Sequence, residues 1–415
     1  MGRYEGARQR TAAVAMDSSK LDTYLADCRH LVLQEIRDIV PQNERYRSVL
    51  YDLMLDYPLR HAKALRPALC IATCRALGGR LESVLRSAAV LELYHNAFLI
   101  HDDVEDGSEK RRDRPTLHRQ HGVPVAVNVG DAMLALTLEP LLDNMISVGM
   151  GKALRILQTV ARMARESTEG QALELHWIQN REWRLDDVEY VRLVYKKTSW
   201  YTFISPMLIG GIVAGVEQER LTTLRKFAAL LGVAFQAQDD VLNLVGEGSS
   251  YGKEIAGDLW EGKHTLIVMH MVRSATERER RQVRQIMSKR RPQSPAGTCA
   301  GRTRSAEADR VAPQLRALLN ALQRRGELTS GGRRAIEAAL DRSTELGDAG
   351  VKTSEDVRFL SRLIDRYGSV DYARTVARRF AHKADSILQR ADWLEPSVHR
   401  DFLQDLVGFV VNRDR

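Results

Sequence analysis

The sequence predicts an all-α protein, a large helical bundle in one domain, on the strength of three observations. Apolar residues recur at intervals of three and four along most of the chain, beginning with Leu21, Leu25, Cys28 and Val32. Proline is scarce, with 11 in 415 residues, which leaves room for long uninterrupted helices. The sequence contains no alternation of apolar and polar residues over the length of a useful strand.

Composition narrows the class of protein. Hydrophobic residues make up 44% of the chain, and the formal net charge is +8. A basic balance suggests nucleic acid or anionic membrane, and yet no recognisable nucleic-acid motif accompanies the charge. No apolar run approaches the roughly 20 residues that a membrane span needs. We therefore expect neither nucleic-acid binding nor a membrane span.

The cysteines and the N-terminus bear on location. None of the cysteines has the CxxC spacing of a metal site, and they fit buried, reduced thiols: Cys28, Cys70, Cys74 and Cys299. Such thiols are typical of a cytosolic protein, so we expect a cytoplasmic location. Residues 1–20 are basic, lack the apolar segment of a signal peptide and predict a disordered tail, with Met1 and Met16 both open as the start.

The first helices precede a short basic segment. The periodic run that begins at Leu21 is stopped by Pro41, and a second helical segment covers residues 46–55. Lys63 and Arg66 then lie three apart, on one face, before Pro67 can open the next helix. Exposed lysine and arginine are usually solvated charges, so their spacing alone assigns no function.

The chain is organised around residues 91–118. An apolar helical run ends in four carboxylates within five positions, followed by paired arginines: Asp102, Asp103, Glu105, Asp106, Arg111 and Arg112. Asp102 and Asp106 are four apart, so they lie one turn from each other on one helical face. Such a cluster is unfavourable unless a cation sits in it, and Mg²⁺ prefers carboxylate oxygens together with substrate phosphates. The alternative for an isolated cluster is a solvated acidic helix end.

A second acidic cluster weighs against that alternative. Another helical stretch closes with one patch of polar side chains at helical spacing: Gln236, Asp239, Asp240 and Asn243. A glycine-rich loop follows that could fold over a substrate and bring Lys253 and Lys263 to it. Two acidic faces with cations downstream predict the two walls of one diphosphate site, with six metal ligands: Asp102, Asp103, Asp106, Asp239, Asp240 and Asn243.

The remaining segments are helical, with one interruption. Lys196, Lys197 and Thr198 break a strongly apolar segment, where charges need an anionic partner or a route to water. Residues from about 290 to 312 carry prolines, small residues and arginines without an apolar period, which predicts a flexible insertion. We therefore predict one domain over 21–415, interrupted by that insertion.

These stretches resemble the trans-isoprenyl diphosphate synthases, or polyprenyl synthetases. HNAFLIHDDVEDGSEKRRDRP resembles the first aspartate-rich motif of that family, and FQAQDDVLN with GKEIAGDLWEGK resembles the second. Residues 63–67 and the Lys197-Thr198 pair match further motifs in order, and the resemblance covers about residues 45–270, returning more weakly from about 350. The chain departs from the family pattern at Ala62 and Asp113, where glycine is usual, and at Asn243, where many relatives have Asp.

The resemblance implies a fold, a reaction and a division of roles. The fold is a bundle of antiparallel helices around a central cavity, and the reaction is a Mg²⁺-dependent condensation of isopentenyl diphosphate with dimethylallyl, geranyl or farnesyl diphosphate. The implied catalytic residues are Asp102, Asp106, Arg111, Lys197, Asp239 and Lys263. The implied diphosphate ligands are Lys63, Arg66, His95, Arg111, Arg112, Lys197, Thr198, Gln236, Lys253 and Lys263.

The resemblance also implies a homodimer, and the apolar segment Tyr201–Val216 offers more hydrophobic surface than one helical layer readily hides. The resemblance implies that product length is set by residues one to three turns before Asp102, which by helical spacing are Leu91, Tyr94, Ala97 and Phe98. They favour geranylgeranyl diphosphate (C20), with farnesyl diphosphate (C15) or a longer chain as alternatives.

Three other functions stay open. A class I terpene cyclase shares the first motif and needs a different second one, and a non-catalytic regulatory subunit is expected to have lost an aspartate cluster. A module that binds anionic lipid through the basic charge leaves the carboxylates unexplained.

Overall fold

Helices of very different length make up the frame. The computed structural model describes residues 18–246, 256–292 and 350–412, with scattered positions between 319 and 336. In chain order, the helices are α1 (Ser18–Ile39), α2 (Asp52–Leu59), α3 (Leu65–Ala76), α4 (Leu81–Glu105), α5 (Leu117–His121), α6 (Val123–Leu136), α7 (Leu138–Ser147), α8 (Met150–Asn180), α9 (Asp187–Val194), α10 (Ser205–Ala214), α11 (Gln218–Val245), α12 (Gly257–Glu261), α13 (Leu266–Ser274), α14 (Glu277–Met287), α15 (Ser354–Arg366), α16 (Ser369–Leu388) and α17 (Val398–Asn412). The all-α prediction is confirmed.

Three further elements were not predicted. Two are π-helices, Arg47–Tyr51 and Tyr195–Ile204, and the second of them carries the Lys197-Thr198 pair. The third is a small antiparallel hairpin of β1 (Lys110–Arg111) and β2 (Arg114–Pro115). Each strand has only two residues, too short to show a period in the sequence.

Local chemistry explains several helix boundaries. Helix α1 ends at Ile39, before Pro41, as predicted. The Asp186 carboxylate accepts hydrogen bonds from two backbone N–H groups at the start of α9, and reciprocal capping pairs open α14 (Thr276 with Glu279) and α15 (Thr353 with Asp356). These side chains satisfy donors that have no partner within the helix, which fixes where each helix begins.

The core has two parts joined by α11. The larger part packs α1, α3, α4, α10 and α17 against the first half of α11, around side chains such as Leu224 and Leu231. The smaller part packs α13, α15 and α16 against the second half of α11, around Val233 and Val241. Because α11 belongs to both parts, the acidic cluster at its C-terminal end is held from two sides.

The apolar surface of the Tyr201–Val216 segment is less exposed than we predicted. Helix α10, the centre of the Tyr201–Val216 segment, is buried within one chain, with Met207 and Ile209 fully covered. It packs on α3 and cannot be the dimer surface. Half of the exposed large apolar side chains in the described residues lie on α6, α7 and the start of α8: Val123, Val127, Leu138, Leu142, Met145, Ile146, Met150 and Leu154.

The same region is the one candidate for a membrane span within the described residues. Residues Val123–Ser147 are long and apolar enough by length and composition, and 39% of their most apolar window is buried inside the fold. A single helix of this kind is weak evidence for a span, and the stretch includes Asp131, Glu139 and Asp143.

Two of the predicted flexible segments fall largely outside the described residues, namely the tail at 1–20, described only from Ser18, and the insertion, described only to Pro292. The structure describes the chain continuously from Ala256 to Pro292 and again from Gly350. Arg290 and Val351 form a parallel β-bridge there. The buried Lys352 ammonium donates to the carbonyls of Leu259 and Trp260 at the end of α12, at 2.6 and 2.9 Å.

Candidate active site

A cavity of about 630 Å³ opens where α4 and α11 end. Most of the polar residues predicted from the sequence line it together: Lys63, Arg66, His95, Asp102, Arg111, Arg112, Lys197, Thr198, Gln236, Asp239, Asp240 and Lys263. Positions as far apart in the chain as 63 and 263 therefore meet at one site. Lys253 lies outside the described residues.

The wall formed by α4 presents one stripe of the helix. His95, Leu99 and Asp102 line the cavity, at spacings of four and three residues. Asp106, one turn further, accepts a hydrogen bond from the Lys263 ammonium at 2.7 Å. Burial raises the pKa of Asp106 to about 7, against the lowering influence of Lys263.

Asp103 does not join this stripe. It is fully buried, and its carboxylate accepts hydrogen bonds from the Arg111 guanidinium and from the Tyr57 hydroxyl, the latter at 2.7 Å. Both oxygens accept hydrogen bonds in this buried position, and the assignment of Asp103 as a metal ligand stays a prediction. Asp103 holds Arg111, whose side chain does line the cavity.

The wall formed by α11 repeats this pattern. Asp239 lines the cavity, while Asp240 accepts from the Tyr190 hydroxyl at 2.7 Å and from the Gln236 amide at 2.8 Å. Asn243 does not line the cavity, and its side-chain oxygen accepts from the backbone N–H of Asp258 at 3.2 Å. Asp240, which also lines the cavity, and Asn243 thus anchor their surroundings, and their assignment as metal ligands stays a prediction.

Two lysines cross the acidic end of the cavity. The Lys197 ammonium contacts Asp102 at 3.5 Å and Glu174, and the Lys263 ammonium contacts Asp106 at 2.7 Å and Glu261 at 2.8 Å. Burial opposes their charge, and yet these carboxylates raise the pKa of both lysines above the ordinary value. The acidic cluster is therefore neutralised in part by the chain itself.

Sequence reasoning missed Glu174 and Glu261. Glu174 reaches Lys197 because α8 approaches the second π-helix closely at Gly170, where an added Cβ would lie 2.4 Å from the backbone nitrogen of Lys197. Lys196 turns the other way, to Glu166 at 2.8 Å and to Glu169. π-Helical segments are frequent at functional sites. Here the π-helix directs the side chains of Lys196 and Lys197 to different carboxylates.

The opposite corner of the cavity is strongly basic. Arg112 lies at the tip of the β1–β2 hairpin, where Arg112 and Asp113 adopt φ of 52° and 62°. Two left-handed residues are the requirement of a type I′ hairpin turn, and Asp tolerates that conformation. The Asp113 substitution therefore keeps the turn, and the left-handed residue beside Lys63 is Ala64 rather than Ala62.

The electrostatics of this corner favour an anion. Burial and the neighbouring Arg111, Arg66 and Arg60 lower the pKa of Arg112 to about 10, and the buried Glu92 only partly offsets them. Burial raises the pKa of Glu92, while Arg66 and Arg112 lower it. Glu92 was not predicted from the sequence. A cation whose charge is disfavoured in this way gains from an anionic ligand.

His264 was also missed. Its side chain is 5% exposed, lines the cavity and packs on the Trp183 ring with centroids 4.4 Å apart. Within the described part of the chain, neither ring nitrogen has a hydrogen-bond partner. Burial lowers the pKa of His264 to about 4, so the imidazole is neutral and offers one donor and one acceptor to a ligand.

The apolar part of the cavity is formed by Leu99, Tyr201 and Phe235. The predicted length-setting residues stand behind this surface rather than in it, because Leu91 and Ala97 are buried in the core and neither they nor Tyr94 and Phe98 line the cavity. Phe98 contacts the Tyr201 ring edge-on, with centroids 5.8 Å apart. Its influence on the cavity therefore passes through Tyr201.

Comparison with known proteins supplies the family. The model of the family "Polyprenyl synthetase" matches residues 48–298. The chain belongs to this family. It is 32% identical over 257 residues to a short chain isoprenyl diphosphate synthase of Methanocaldococcus jannaschii, covering 61% of this chain and 74% of that protein. It is 31% identical over 222 residues to the octaprenyl diphosphate synthase of Escherichia coli, covering 54% and 66%.

A solved polyprenyl synthetase agrees over nearly the whole chain. The geranylgeranyl pyrophosphate synthetase of Pyrococcus horikoshii superposes with a TM-score of 0.71 and 26% identity, covering 95% of this chain and 99% of that one. The protein is therefore a trans-prenyltransferase, as predicted. The names of the relatives span short and long products, so membership of the family leaves product length open.

Proposed function

We propose that this polyprenyl synthetase condenses isopentenyl diphosphate with an allylic diphosphate in a Mg²⁺-dependent reaction, with geranylgeranyl diphosphate as its main product. One observation carries the proposal. Asp102 and Asp239, from two helices, line one cavity whose other corner holds Lys63, Arg66 and Arg112. Such a cavity offers a carboxylate end for a metal-bound diphosphate and a separate basic end for a second diphosphate.

The carboxylate end fits Mg²⁺. No group of three or more His, Cys, Asp or Glu side chains in the described residues could hold a metal ion by itself. Mg²⁺ does not need such a cage, because it usually binds one or two carboxylates together with substrate phosphates. In our proposal, Asp102, Asp106 and Asp239 hold the ions, which would stabilise the charge that develops on the departing diphosphate.

The lysines serve the same allylic diphosphate. Lys197 and Lys263 already lie on the carboxylates in the structure, so their charges can move a short distance to phosphate oxygens. Arg111 lines the cavity, held by Asp103, and adds a charge in a fixed position. Thr198 donates to the Gln236 side chain at 2.8 Å, which links the lysine-bearing π-helix to α11. Ionisation of the allylic substrate is thus assisted by cations from three parts of the chain.

Isopentenyl diphosphate binds at the basic corner in this proposal. The Arg66 guanidinium is positioned by the Thr202 hydroxyl at 2.9 Å and lies over the Tyr201 ring at 4.5 Å. His95 stacks beside the same ring, with centroids 5.9 Å apart. The diphosphate would join Lys63, Arg66, His95 and Arg112, leaving its double bond towards the apolar part of the cavity.

The reaction then needs a dry interior and a base. Leu99, Tyr201 and Phe235 give the forming carbocation apolar surroundings, which exclude the water that would quench it. The departing diphosphate is the base in our proposal, because it leaves next to the carbon that must lose a proton. The neutral His264 can donate one hydrogen bond to that diphosphate.

We propose a homodimer formed through the apolar face of α6, α7 and the start of α8. Ile146 is 91% exposed and Met150 is 65% exposed there, and a contiguous apolar surface of this kind marks an interaction site. In Ile146→Asp, we expect a monomer in light scattering at micromolar concentration, whereas Val188→Asp on the exposed surface of α9 should leave the dimer intact. A monomeric wild-type protein would contradict the proposal.

A cytoplasmic location is part of the same proposal and rests on the buried Cys28, Cys70 and Cys74.

The decisive experiment supplies purified protein with isopentenyl diphosphate and each allylic starter, with and without Mg²⁺. Chromatography of the dephosphorylated products should show a C20 alcohol as the main species, and excess chelator should abolish turnover. A C15 or longer main product would correct the length alone. Undiminished activity in chelator would remove the metal from the proposal.

A further inference from the structure

A second cavity lies away from the catalytic one. It has a volume of about 330 Å³ and is enclosed by α8, the second π-helix, α10 and the start of α11. None of the residues that line it lines the catalytic cavity. Its volume is within the range of small-molecule sites, which is about 300–1,000 Å³.

One side of this cavity is basic. Arg155 and Arg162 reach it from α8 and Arg225 reaches it from α11, and no carboxylate is among the described residues that line it. Arg155 donates to the Gln218 amide at 3.1 Å, and Arg162 has the Glu166 carboxylate at 3.5 Å. Guanidinium groups from two helices that converge on one space suit the oxygens of a phosphate or diphosphate.

The other side is apolar and contains a buried donor. Leu208, Ile212 and Leu221 line it beside Trp200, which is 1% exposed. The indole N–H of Trp200 has no acceptor among the described residues, and the Arg162 guanidinium lies 4.8 Å above its ring. That nitrogen is buried, so Trp200 offers the cavity its ring rather than a hydrogen-bond donor, and an apolar ligand group can pack on it.

We propose that this second cavity binds a prenyl diphosphate, with the diphosphate on Arg155, Arg162 and Arg225 and the first isoprene units against Trp200, Leu208 and Ile212. The charges alone would accept any phosphate, and the apolar wall selects an amphiphile. That the ligand belongs to the enzyme's own substrates and products rests on the proposed function.

The position of Trp200 connects this cavity to catalysis. Trp200 belongs to the π-helix Tyr195–Ile204, whose Lys197, Thr198 and Tyr201 line the catalytic cavity. A ligand against Trp200 therefore touches the element that positions the allylic diphosphate. Occupancy of the second cavity changes the affinity of the first, so that an accumulating prenyl diphosphate regulates its own synthesis.

Binding is tested by calorimetry in excess chelator and saturating isopentenyl diphosphate, which respectively remove metal-dependent binding at the catalytic carboxylates and occupy the basic corner of the catalytic cavity. The probes are geranyl thiolodiphosphate, which resists ionisation, and inorganic diphosphate. Arg155→Ala combined with Arg225→Ala should weaken binding of geranyl thiolodiphosphate at least tenfold, and Trp200→Phe severalfold. Arg165→Ala, which removes an exposed arginine of α8 outside the cavity, is the matched control and should bind as the wild type does.

Two results would overturn the proposal. Unchanged binding in the double arginine variant would show that the cavity is not the site, and equal affinity for the two probes would show that the apolar wall takes no part. This measurement needs no turnover, so it stands even if the proposed reaction fails. In an active enzyme, added prenyl diphosphate should inhibit with a mixed pattern in the wild type and a purely competitive one in the double variant; identical patterns would refute the coupling.

Discussion

The two acidic helix ends of this polyprenyl synthetase share a dipeptide and use it in parallel ways. In each, the first aspartate, Asp102 or Asp239, lines the catalytic cavity. In each, the second is buried and accepts a hydrogen bond from a distant tyrosine at 2.7 Å, Tyr57 for Asp103 and Tyr190 for Asp240. The second aspartate of each pair thus fixes the helix end through a tyrosine, although Asp240, unlike Asp103, also lines the cavity.

The two ends differ in what balances their charge. Asp103 pairs with the Arg111 guanidinium, and Asp106 pairs with Lys263. Among the residues that the structure describes, Asp240 accepts hydrogen bonds from the neutral Gln236 and Tyr190, and burial raises its pKa to about 7. The α4 end therefore carries its own counter-ions, while the α11 end depends more on cations brought with the substrate.

The largest expected effect is on turnover when either exposed aspartate is removed. Asp102→Ala and Asp239→Ala should each lower kcat by about 10²-fold or more, because each removes stabilisation of the departing diphosphate. Helical circular dichroism should not change. Asp371→Ala, at an exposed site on α16, is the control and should retain full activity. Wild-type turnover in either variant would take that helix end out of the site.

Substitution of the buried aspartates should lower the free energy of unfolding by different amounts at the two helix ends. Asp103→Asn leaves the buried Arg111 without its closest counter-charge and should reduce the free energy of unfolding by about 3–5 kcal/mol. Asp240→Asn keeps the shape and loses no ion pair, so a loss of about 1 kcal/mol is expected. Urea unfolding of metal-free protein measures both values. Equal losses would mean that the charge of Arg111 does not distinguish the two ends.

Substitutions at the two proposed diphosphate positions should raise the KM of different substrates. Arg112→Ala should raise the KM for isopentenyl diphosphate about tenfold or more, since it removes a charge-assisted contact from the basic corner. Lys197→Ala should raise the KM for the allylic diphosphate instead. Steady-state kinetics with each substrate varied in turn tests the division, and parallel changes for both substrates would show that the division is wrong.

The free energy of unfolding should depend on pH through the buried carboxylate of Asp240, near the end of α11. The pKa of Asp240 is raised to about 7 in the folded state, from an ordinary value near 4. Its stabilising contribution is therefore complete below pH of about 4 and is lost as pH rises through about 7. In the metal-free protein, Asp240→Asn should make the midpoint of urea unfolding fall less steeply as pH rises. A variant with the wild-type slope would assign the decline to other groups, such as Asp106.

The smallest expected effect concerns product length. Phe98→Ala removes the ring that supports Tyr201 and should lengthen the main product by one isoprene unit. Val188→Ala, on the exposed surface of α9, is the control and should leave the length unchanged. Ala97→Phe is not a useful test of length, because Ala97 is fully buried away from the cavity and a larger side chain there should disturb packing first. An unchanged product in Phe98→Ala would place the stop elsewhere.

The sequence predicted what depends on helical spacing. Asp102 and Asp239 end apolar stripes that must face the interior, so their location at one cavity follows from periodicity and from the family resemblance. The partners that select among adjacent carboxylates could not be predicted, because Tyr57 and Tyr190 lie 46 and 50 positions from the aspartates they bind. Glu174 could not be predicted for the same reason. It reaches Lys197 only because α8 packs closely on the π-helix at Gly170.

The bridge between Arg290 and Val351 also bears on how the chain can be altered. The backbone N–H of Arg290 donates to the carbonyl of Gly350 at 3.2 Å, and that of Lys352 donates to the carbonyl of Arg290 at 2.8 Å. Two positions 61 residues apart in numbering are thus neighbours in space. Connecting neighbours costs little more entropy for a long connection than for a moderate one, since the cost grows only with the logarithm of length. A connection of another length between Arg290 and Val351 therefore has only neighbouring positions to join, at little further cost in entropy.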